Sequence, residues 1–442
     1  MARLFGTDGV RGLANREITP EFSLLLGQAA ARVLAEDATG RPKAIIGRDT
    51  RQSSAMLSHA VGSGLASAGV DVEHVREIPT PGIAYLTSER GYDLGVMISA
   101  SHNAMPDNGI KFINAEGFKL DDAIEDRIEA NMSNSWERPV GADVGHISES
   151  SEVSDRVYMD HLVRCGQPLE GLSIVLDCAN GAASRVAPKV FQELGADVVV
   201  INASPDGRNI NLNSGSTHTH RLQAMVKAAD ADMGFAFDGD ADRCLAVDHY
   251  GNLVNGDQIM GLLALAMKER GELRNNTLVI TVMSNLGLRL ALQEKDINYK
   301  ITGVGDRYVL EEMLAGNYVL GGEQSGHVIN LDHSTTGDGT LTAILIASEV
   351  ARRQEKLAQA VSFVEELPQR LINVADVDKT RVDEISDAVD KAEAKLGEAG
   401  RVLIRASGTE PLIRVMVEAK TQELTDEVAE DLAALVKERL SL

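Results

Sequence analysis

Cysteine is scarce in this 442-residue chain: Cys165, Cys178 and Cys244 are the only three, and their spacing suits neither a zinc site nor a disulfide framework. They read as reduced core thiols, Cys244 included, where a small apolar filler explains the residue better than redox chemistry does. Long apolar runs are missing as well. None reaches the roughly 20 residues of a membrane span, and no charged-then-apolar leader opens the chain, because Met1 to Gly12 is already patterned. The cytoplasm is therefore the expected location. Positive charge is the third shortage, with 43 Lys and Arg against 66 Asp and Glu and a formal net charge of −23. Nucleic acid and anionic membranes are bound through basic patches, so neither is expected as a partner. Low-complexity tracts and short-period repeats are also absent.

What is present is an ordinary globular composition, 44% hydrophobic, in a chain long enough by its length prior for about three domains. Strand-like and helix-like runs alternate, which predicts an α/β fold with mixed sheets. Ala44–Ile46, Leu94–Ile98, Ile174–Leu176, Val198–Ile201, Met233–Phe237 and Leu278–Val282 read as strands. Ala55–Ala68, Asp257–Lys268 and Thr340–Arg352 read as helices. Boundaries fall in the Ser- and Glu-rich stretch Ser133–Ser154, in the turn residues Asn252–Gly256 and at Pro368, predicting domains over residues 1–152, 153–253, 254–367 and 368–442. In the last of these Thr380–Leu396 reads as an amphipathic helix. Two strands follow, then a helix with Leu424, Val428, Leu432, Leu435 and Val436 on its apolar face, so that a small α+β module results.

Four segments carry the chemistry. Ser99-Ala-Ser-His-Asn103 follows the apolar run Leu94–Ile98 and puts a hydroxyl, Ser101, just past a strand's carboxyl end, where it is expected exposed on a loop. Alone, the segment is also a plain strand exit. Asp238-Gly-Asp-Ala-Asp-Arg243 follows Met233–Phe237 and offers three carboxylates at alternate positions. An EF-hand is excluded by Arg243 and His249 where that loop needs glycine and glutamate, whereas Mg²⁺ is suited by a compact carboxylate set completed by phosphate and water. Arg405-Ala-Ser-Gly-Thr409 lies between Val402–Ile404 and Leu412–Val417. It is equally a hairpin tip or a phosphate holder in which Arg405 supplies a fork, Ser407 and Thr409 hydroxyls, and Gly408 close backbone approach. Gly321-Gly-Glu-Gln-Ser-Gly-His327 follows Tyr318–Leu320, and its Glu323, Ser325 and His327 suit sugar hydroxyls or an amine, although a tight turn would look the same.

Taken together, and with Phe5-Gly-Thr-Asp-Gly-Val-Arg-Gly12, Gly47-Arg-Asp-Thr-Arg51, Pro79-Thr-Pro-Gly82, Asp177-Cys-Ala-Asn-Gly181 and Asn211-Leu-Asn-Ser-Gly-Ser-Thr-His218, these segments resemble the α-D-phosphohexomutase superfamily over nearly the whole chain. Ser99 and the Glu-Gln-Ser-Gly form of the sugar loop resemble its glucosamine branch, since relatives acting on glucose or mannose phosphates more often carry threonine and methionine at those places. Many members have proline directly after Ser-His-Asn, where this chain has Ala104 and only later Pro106.

The resemblance implies three similar α/β domains with mixed sheets and a smaller C-terminal α+β domain around a central cleft, each lending one loop. It implies a phosphoserine at Ser101 and one Mg²⁺ per subunit, held by Ser101, Asp238, Asp240 and Asp242. It further implies interconversion of glucosamine 6-phosphate and glucosamine 1-phosphate through glucosamine 1,6-bisphosphate, supplying amino sugar for UDP-N-acetylglucosamine and cell-wall synthesis. A phosphoglucomutase or phosphomannomutase is the alternative. Arg405, Ser407, Gly408, Thr409 and Arg414 would hold the phosphate of the hexosamine phosphate substrate, Glu323 and Ser325 its ring hydroxyls. Arg243 and Arg11 would stabilise phosphate charge against the acidic field of the chain, His102 would position the nucleophile, and Lys111 and His327 match places near the reacting hydroxyls. Lysine serves as a base only where its pKa is lowered. The resemblance leaves room for a homodimer, with no residue marking an interface. His218 and His220, a His-x-His pair, read as structural for want of further ligands. A metal-dependent phosphatase with an Asp nucleophile and a non-catalytic sugar-phosphate module are the rival classes. A dinucleotide enzyme is disfavoured, because Gly6, Gly9 and Gly12 lack both the G-x-G-x-x-G spacing and a preceding strand.

Overall fold

The computed structural model of the chain describes residues 3–6, 8–34, 40–406 and 412–442. They divide into two compact units, residues 1–283 with 297–362, and residues 284–296 with 363–442.

The first unit contains three sheets. The first runs in the order Val10–Leu13, Asp107–Asn114, Leu94–Ile98, Lys43–Arg48, Asp71–Glu77, Ile147–Glu149. The second runs Leu253–Val254, Cys244–Asp248, Met233–Phe237, Ser173–Asp177, Asp197–Ile201, and the third Asn298–Thr302, Thr277–Thr281, Leu320–Gly322, Val328–Asn330. Each sheet is mixed, and each makes the same change of direction. Leu94–Ile98 pairs parallel with Lys43–Arg48 but antiparallel with Asp107–Asn114. Met233–Phe237 pairs parallel with Ser173–Asp177 and antiparallel with Cys244–Asp248. Leu320–Gly322 pairs parallel with Thr277–Thr281 and antiparallel with Val328–Asn330. The serine, aspartate and sugar loops are the three connections at which a parallel strand hands over to its antiparallel return.

The strands that deliver these loops are buried on both faces, which explains their continuous rather than alternating apolar sequence. The helices Gln52–Ser67, Gly256–Arg270 and Gly339–Arg353 cover the sheets. Gly256–Arg270 starts from a capping box, with Asn255 and Gln258 each bonding the other's backbone, and ends at Gly271 in a left-handed conformation, φ 74°. The stretch Ser133–Ser154, expected as a boundary, contains the strand Ile147–Glu149, which joins the first sheet parallel to Asp71–Glu77, and the start of the helix Ser151–Cys165.

The second unit holds an antiparallel sheet of Gln369–Ala375, Leu412–Glu418 and Arg401–Ala406, in that order, with the helices Ser386–Leu396 and Gln422–Leu440. The expected helix Thr380–Leu396 begins as a 3₁₀ segment, Lys379–Ile385. The helix Leu286–Glu294 belongs to this unit: Leu286 N–H donates to Glu418 Oε2 at 2.8 Å, and Asn285 Nδ2 to the Leu367 carbonyl at 3.0 Å. Val428, Leu432 and Val436 enter the core of this unit as their spacing predicts, with Leu424 and Leu435 packed against it.

Candidate active site

Ser101 lies in the left-handed backbone region, φ 51°, three residues past the end of its strand. Side chains with a Cβ rarely adopt this conformation, so the loop around it must be over-determined. Ser99 Oγ donates to Asp49 Oδ2 at 2.7 Å and accepts the Ser101 N–H at 2.9 Å. Arg51, fully buried, donates to the carbonyls of Ser101 and Asn103 at 2.9 Å, of Ala104 at 2.5 Å and of Asp107 at 3.1 Å, and to Asp49 Oδ2 at 2.8 Å. The loop course through Ala104 is thus held by its carbonyl, with no proline required at that place. The expectation of an exposed Ser101 is corrected: the residue is 1% exposed, because the aspartate loop of the second sheet lies over it and Asp238 Oδ2 accepts its hydroxyl at 2.6 Å.

Asp238, Asp240 and Asp242 are buried, and each offers an oxygen such that all three lie within 4.8 Å of one another. Among the described residues this is the one such carboxylate, histidine or cysteine group. The donor set fits a hard divalent cation: the oxygens are all carboxylate, and Asp240 Oδ1 and Asp242 Oδ1 are buried with no hydrogen-bond partner. Burial, with the negative charges of Asp242 and Asp240, pushes the Asp238 carboxyl well above its usual pKa. Burial acts the same way on Asp240, but Lys111 and the hydroxyl of Thr80 overcome it and hold that carboxyl below its ordinary range. Thr80 Oγ1 donates to Asp240 Oδ2 at 2.6 Å, and the Thr80 N–H to the Asp240 carbonyl at 2.9 Å.

A chain of charges, buried at Lys111 and half-buried beyond it, leads away from this cluster. Lys111 Nζ lies 2.8 Å from Asp240 Oδ2, 3.8 Å from Asp242 Oδ2 and 2.7 Å from Asp8 Oδ2. Asp8 also pairs with Arg11 and, at 2.6 Å, with Lys119 Nζ, which itself pairs with Asp306. Burial alone would lower the pKa of Lys111, yet Asp240, Asp8 and Asp242 raise it above the usual lysine value. That direction favours the ammonium form of Lys111 over a base. His327 is 2% exposed, with Nε2 3.5 Å from Asp306 Oδ2 and 4.0 Å from Asp242 Oδ2, and neither ring nitrogen makes a hydrogen bond. His102 Nδ1 faces the Ser101 hydroxyl at 3.2 Å and Arg243 Nη1 at 3.0 Å. Burial, then Arg243 and Arg11, lower its pKa, so the neutral ring is favoured.

In the sugar loop, Glu323 Oε1 accepts the Gly305 N–H at 3.0 Å, and the exposed Ser325 donates to Glu323 Oε2 at 3.5 Å. The Gly256 N–H donates to the Gln324 carbonyl and the Cys244 N–H to the Gly326 carbonyl, each at 3.0 Å, so the loop is tied to the second sheet and to a helix start. In the second unit Arg405 and Arg414 stand directly opposite on paired antiparallel strands. Ser407, Gly408 and Thr409 lie outside the described residues. His218 and His220 are exposed and belong to no metal-binding group among the described residues.

Asp8, Lys119, Asp306, Asp49, Thr80 and the roles of Arg51 and Asn211 escape sequence reasoning. Their contacts span 111 positions for Lys119 with Asp8 and 187 for Lys119 with Asp306, and no local pattern encodes such a pair. All of these residues except Lys119 and Asp306 lie inside the motifs of the sequence, where their polar character in turns is the available signal.

Comparison with known proteins adds an independent line. Family models described as phosphoglucomutase/phosphomannomutase match in four consecutive parts: alpha/beta/alpha domain I over residues 2–138, domain II over 156–251, domain III over 255–367 and the C-terminal domain over 371–435. The phosphoglucosamine mutase of Bifidobacterium animalis subsp. lactis is 57% identical over 454 residues, covering 100% of both chains. A solved phosphoglucomutase/phosphomannomutase family protein of Burkholderia thailandensis superposes with a TM-score of 0.83 at 22% identity, over 99% of this chain and 97% of that one. The N-acetylphosphoglucosamine mutase of Aspergillus fumigatus, solved in complex with GlcNAc-6P and magnesium, has a TM-score of 0.69 at 17% identity, over 98% and 95% of the two chains.

Proposed function

Because the chain belongs to the phosphoglucomutase/phosphomannomutase family of the α-D-phosphohexomutase superfamily, we propose that it is the isomerase interconverting glucosamine 6-phosphate and glucosamine 1-phosphate, with Ser101 as the phosphoryl carrier. The observation that carries this reading is the Ser101 hydroxyl, 2.6 Å from Asp238 in a buried aspartate cluster. A serine buried against three carboxylates is ill placed for an ordinary structural role and well placed to carry a group that a cation will neutralise.

Asp238, Asp240 and Asp242 would hold Mg²⁺ beside the phosphate of Ser101. When bound, the ion neutralises charge on the phosphoryl group in transfer. The residues do the rest. In the first transfer the Ser101 Oγ–P bond breaks and a new O–P bond forms to the free hydroxyl of the 6-phosphate, whose proton leaves to a base. Glucosamine 1,6-bisphosphate results. After the bisphosphate turns over, Ser101 Oγ takes the other phosphoryl group, the proton returns to the sugar oxygen, and the 1-phosphate departs. His327 suits the proton transfer, since both of its ring nitrogens are free of hydrogen bonds. Lys111 and Arg11 supply fixed positive charge, and Arg243 holds both His102 and phosphate charge. Glu323 and Ser325 read the ring, and Arg405, Ser407, Gly408, Thr409 and Arg414 hold whichever phosphate is not reacting.

The soluble sugar phosphate and the lack, among the described residues, of any helix able to cross a membrane suit a cytoplasmic enzyme. The test is kcat/KM for the 6-phosphates of glucosamine, glucose and mannose, each primed with its 1,6-bisphosphate, on the wild type and on Ser101→Ala. Preference for glucosamine, abolished by the alanine, is expected. Preference for glucose or mannose would overturn the substrate, and activity surviving in the alanine variant would overturn the phosphoserine route.

A further inference from the structure

Two side chains from different domains converge on the same two carbonyl oxygens, those of Ser101 and Asn103. Arg51 Nη2 donates to both at 2.9 Å. Asn211 Nδ2, from the loop that follows the strand Asp197–Ile201 of the second sheet, donates to Ser101 O at 2.9 Å and to Asn103 O at 3.1 Å. Arg51 Nη1 meanwhile takes the carbonyls of Ala104 and Asp107. The aspartate loop closes against the same point: a Cβ on Gly239 would fall 2.5 Å from Ser101 O and 2.9 Å from Asn211 Nδ2. Neither Arg51 nor Asn211 bonds Ser101 Oγ or any of the three aspartates.

We propose that Arg51 and Asn211 are positioning residues for phosphoryl transfer, which hold the backbone of Ser101 in its left-handed conformation so that the hydroxyl, free or phosphorylated, stays aimed at the aspartate cluster. The inference rests on Ser101 being the phosphoryl carrier. Its physical basis is that the carrier changes charge by nearly two units in every half-cycle and would be pulled toward, then released from, the surrounding cations and carboxylates. A loop held only by its own turns would follow those forces. A loop whose four carbonyls are pinned by a planar, buried guanidinium, with two of them pinned again from the neighbouring domain, keeps the oxygen in place. Only arginine meets this demand. Its fork presents donors in two directions from two nitrogens, while a lysine ammonium is a single point with three donors and cannot reach four carbonyls spread over seven residues. Asn211 has a further consequence: the serine loop is complete only when the first and second domains are docked, so the carrier and its aspartates are positioned by one contact.

The experiment compares Arg51→Lys and Asn211→Ala with the wild type in the full chain. It reads kcat and KM for glucosamine 6-phosphate, the rate at which glucosamine 1,6-bisphosphate phosphorylates Ser101 by intact mass, the fraction of chains that become phosphorylated, and Tm. Misplacement of a reacting atom by about 1 Å costs on the order of 100-fold, so kcat and the serine phosphorylation rate should fall together by roughly 10- to 100-fold, with KM within about twofold. The phosphorylatable fraction should remain near that of wild type. Should Arg51→Lys fail to fold, Asn211→Ala, at a residue 8% exposed, decides the matter alone. The proposal is overturned if kcat per phosphorylatable chain equals that of wild type, or if KM rises by the factor by which kcat/KM falls. Ser101→Ala in the same assay separates the two readings: activity in that variant would sink the carrier, whereas its loss with unimpaired Arg51 and Asn211 variants would sink only the clamp.

Discussion

Ser101 Oγ and Asp238 Oδ2 are joined by a 2.6 Å hydrogen bond across 137 positions of sequence, so the hydroxyl of one sheet is held by a carboxylate of the next. The same carboxyl has its pKa pushed well up, by burial first and then by Asp242 and Asp240. A raised pKa means that the metal-free cluster keeps a proton at pH values where an ordinary aspartate has lost it, and a cation must displace that proton. Titrating the metal-stripped chain with Mg²⁺ in weak buffer should release protons, more per site at acid than at alkaline pH, and affinity should fall as pH falls, by up to tenfold per unit. Binding that is independent of pH and releases no proton would contradict this account.

A second titration bears on stability. Asp338 caps the helix Gly339–Arg353, accepting the Leu341 N–H at 2.9 Å and the Tyr158 hydroxyl at 2.7 Å, and burial raises its pKa from 3.8 to about 6. For an acid raised on folding, the protonated form favours the fold. Its stabilisation is complete below the unfolded value and is lost as pH rises through about 6, a change of about 3 kcal/mol by linkage. Asp338→Asn keeps an acceptor for Leu341, offers an N–H to the Tyr158 oxygen and carries no charge. The difference in Tm, variant minus wild type, should therefore become more positive from about pH 5 to pH 8. A difference that stays flat or reverses in sign would show that the carboxyl does not titrate there.

Lys111 is 3% exposed and faces Asp8 and Asp240 at 2.7 and 2.8 Å. Removing one partner from a buried ionic cluster costs about 3–5 kcal/mol, because the remaining charges are left without compensation. Lys111→Met, which preserves the length of the side chain, should lower the denaturant midpoint accordingly while leaving the slope of the transition unchanged. A loss below about 1 kcal/mol, the range of exposed pairs, would mean that water or ions already screen the cluster.

Much of this architecture could be read from sequence where burial is two-sided. Leu94–Ile98 and Met233–Phe237 are strands at the residues expected, because five consecutive apolar positions bounded by polar turns leave little alternative. Gln369–Ala375 and Asp71–Glu77 could not be read the same way. The first, largely solvent-facing, alternates with Gln369, Arg370 and Asn373, and the second carries Asp71, Glu73, Arg76 and Glu77, so neither forms an apolar run. The site divides similarly. Ser101 and the aspartates each sit in a short motif just past an apolar strand and announce themselves, while the Asp8, Lys119 and Asp306 chain exists only after the first and third sheets have packed. Lys111 could be placed but not interpreted, since the sign of its pKa shift depends on partners it meets only in the folded chain.

Arg405 and Arg414 occupy one cross-strand pair of the small antiparallel sheet. Like charges directly opposite one another destabilise a sheet, by a few tenths to about 1 kcal/mol, and nothing in the apolar core of the second unit requires either residue there. Such a pair is tolerable if an anion resides between or beside the two guanidinium groups for part of the working cycle, which suits a clamp that must take either phosphate of a bisphosphate. Inorganic phosphate should then raise the Tm of the wild-type chain more than chloride does at matched ionic strength, and Arg414→Ala should remove most of that increment. The same substitution should leave the Tm in chloride equal or slightly higher, because the repulsion is gone, while KM for the sugar phosphate rises by roughly 10-fold for one lost charge-assisted hydrogen bond. If Arg414→Ala left both KM and the phosphate increment untouched, the pair would be a surface coincidence, and the holding of phosphate would fall to Arg405 and the loop residues alone.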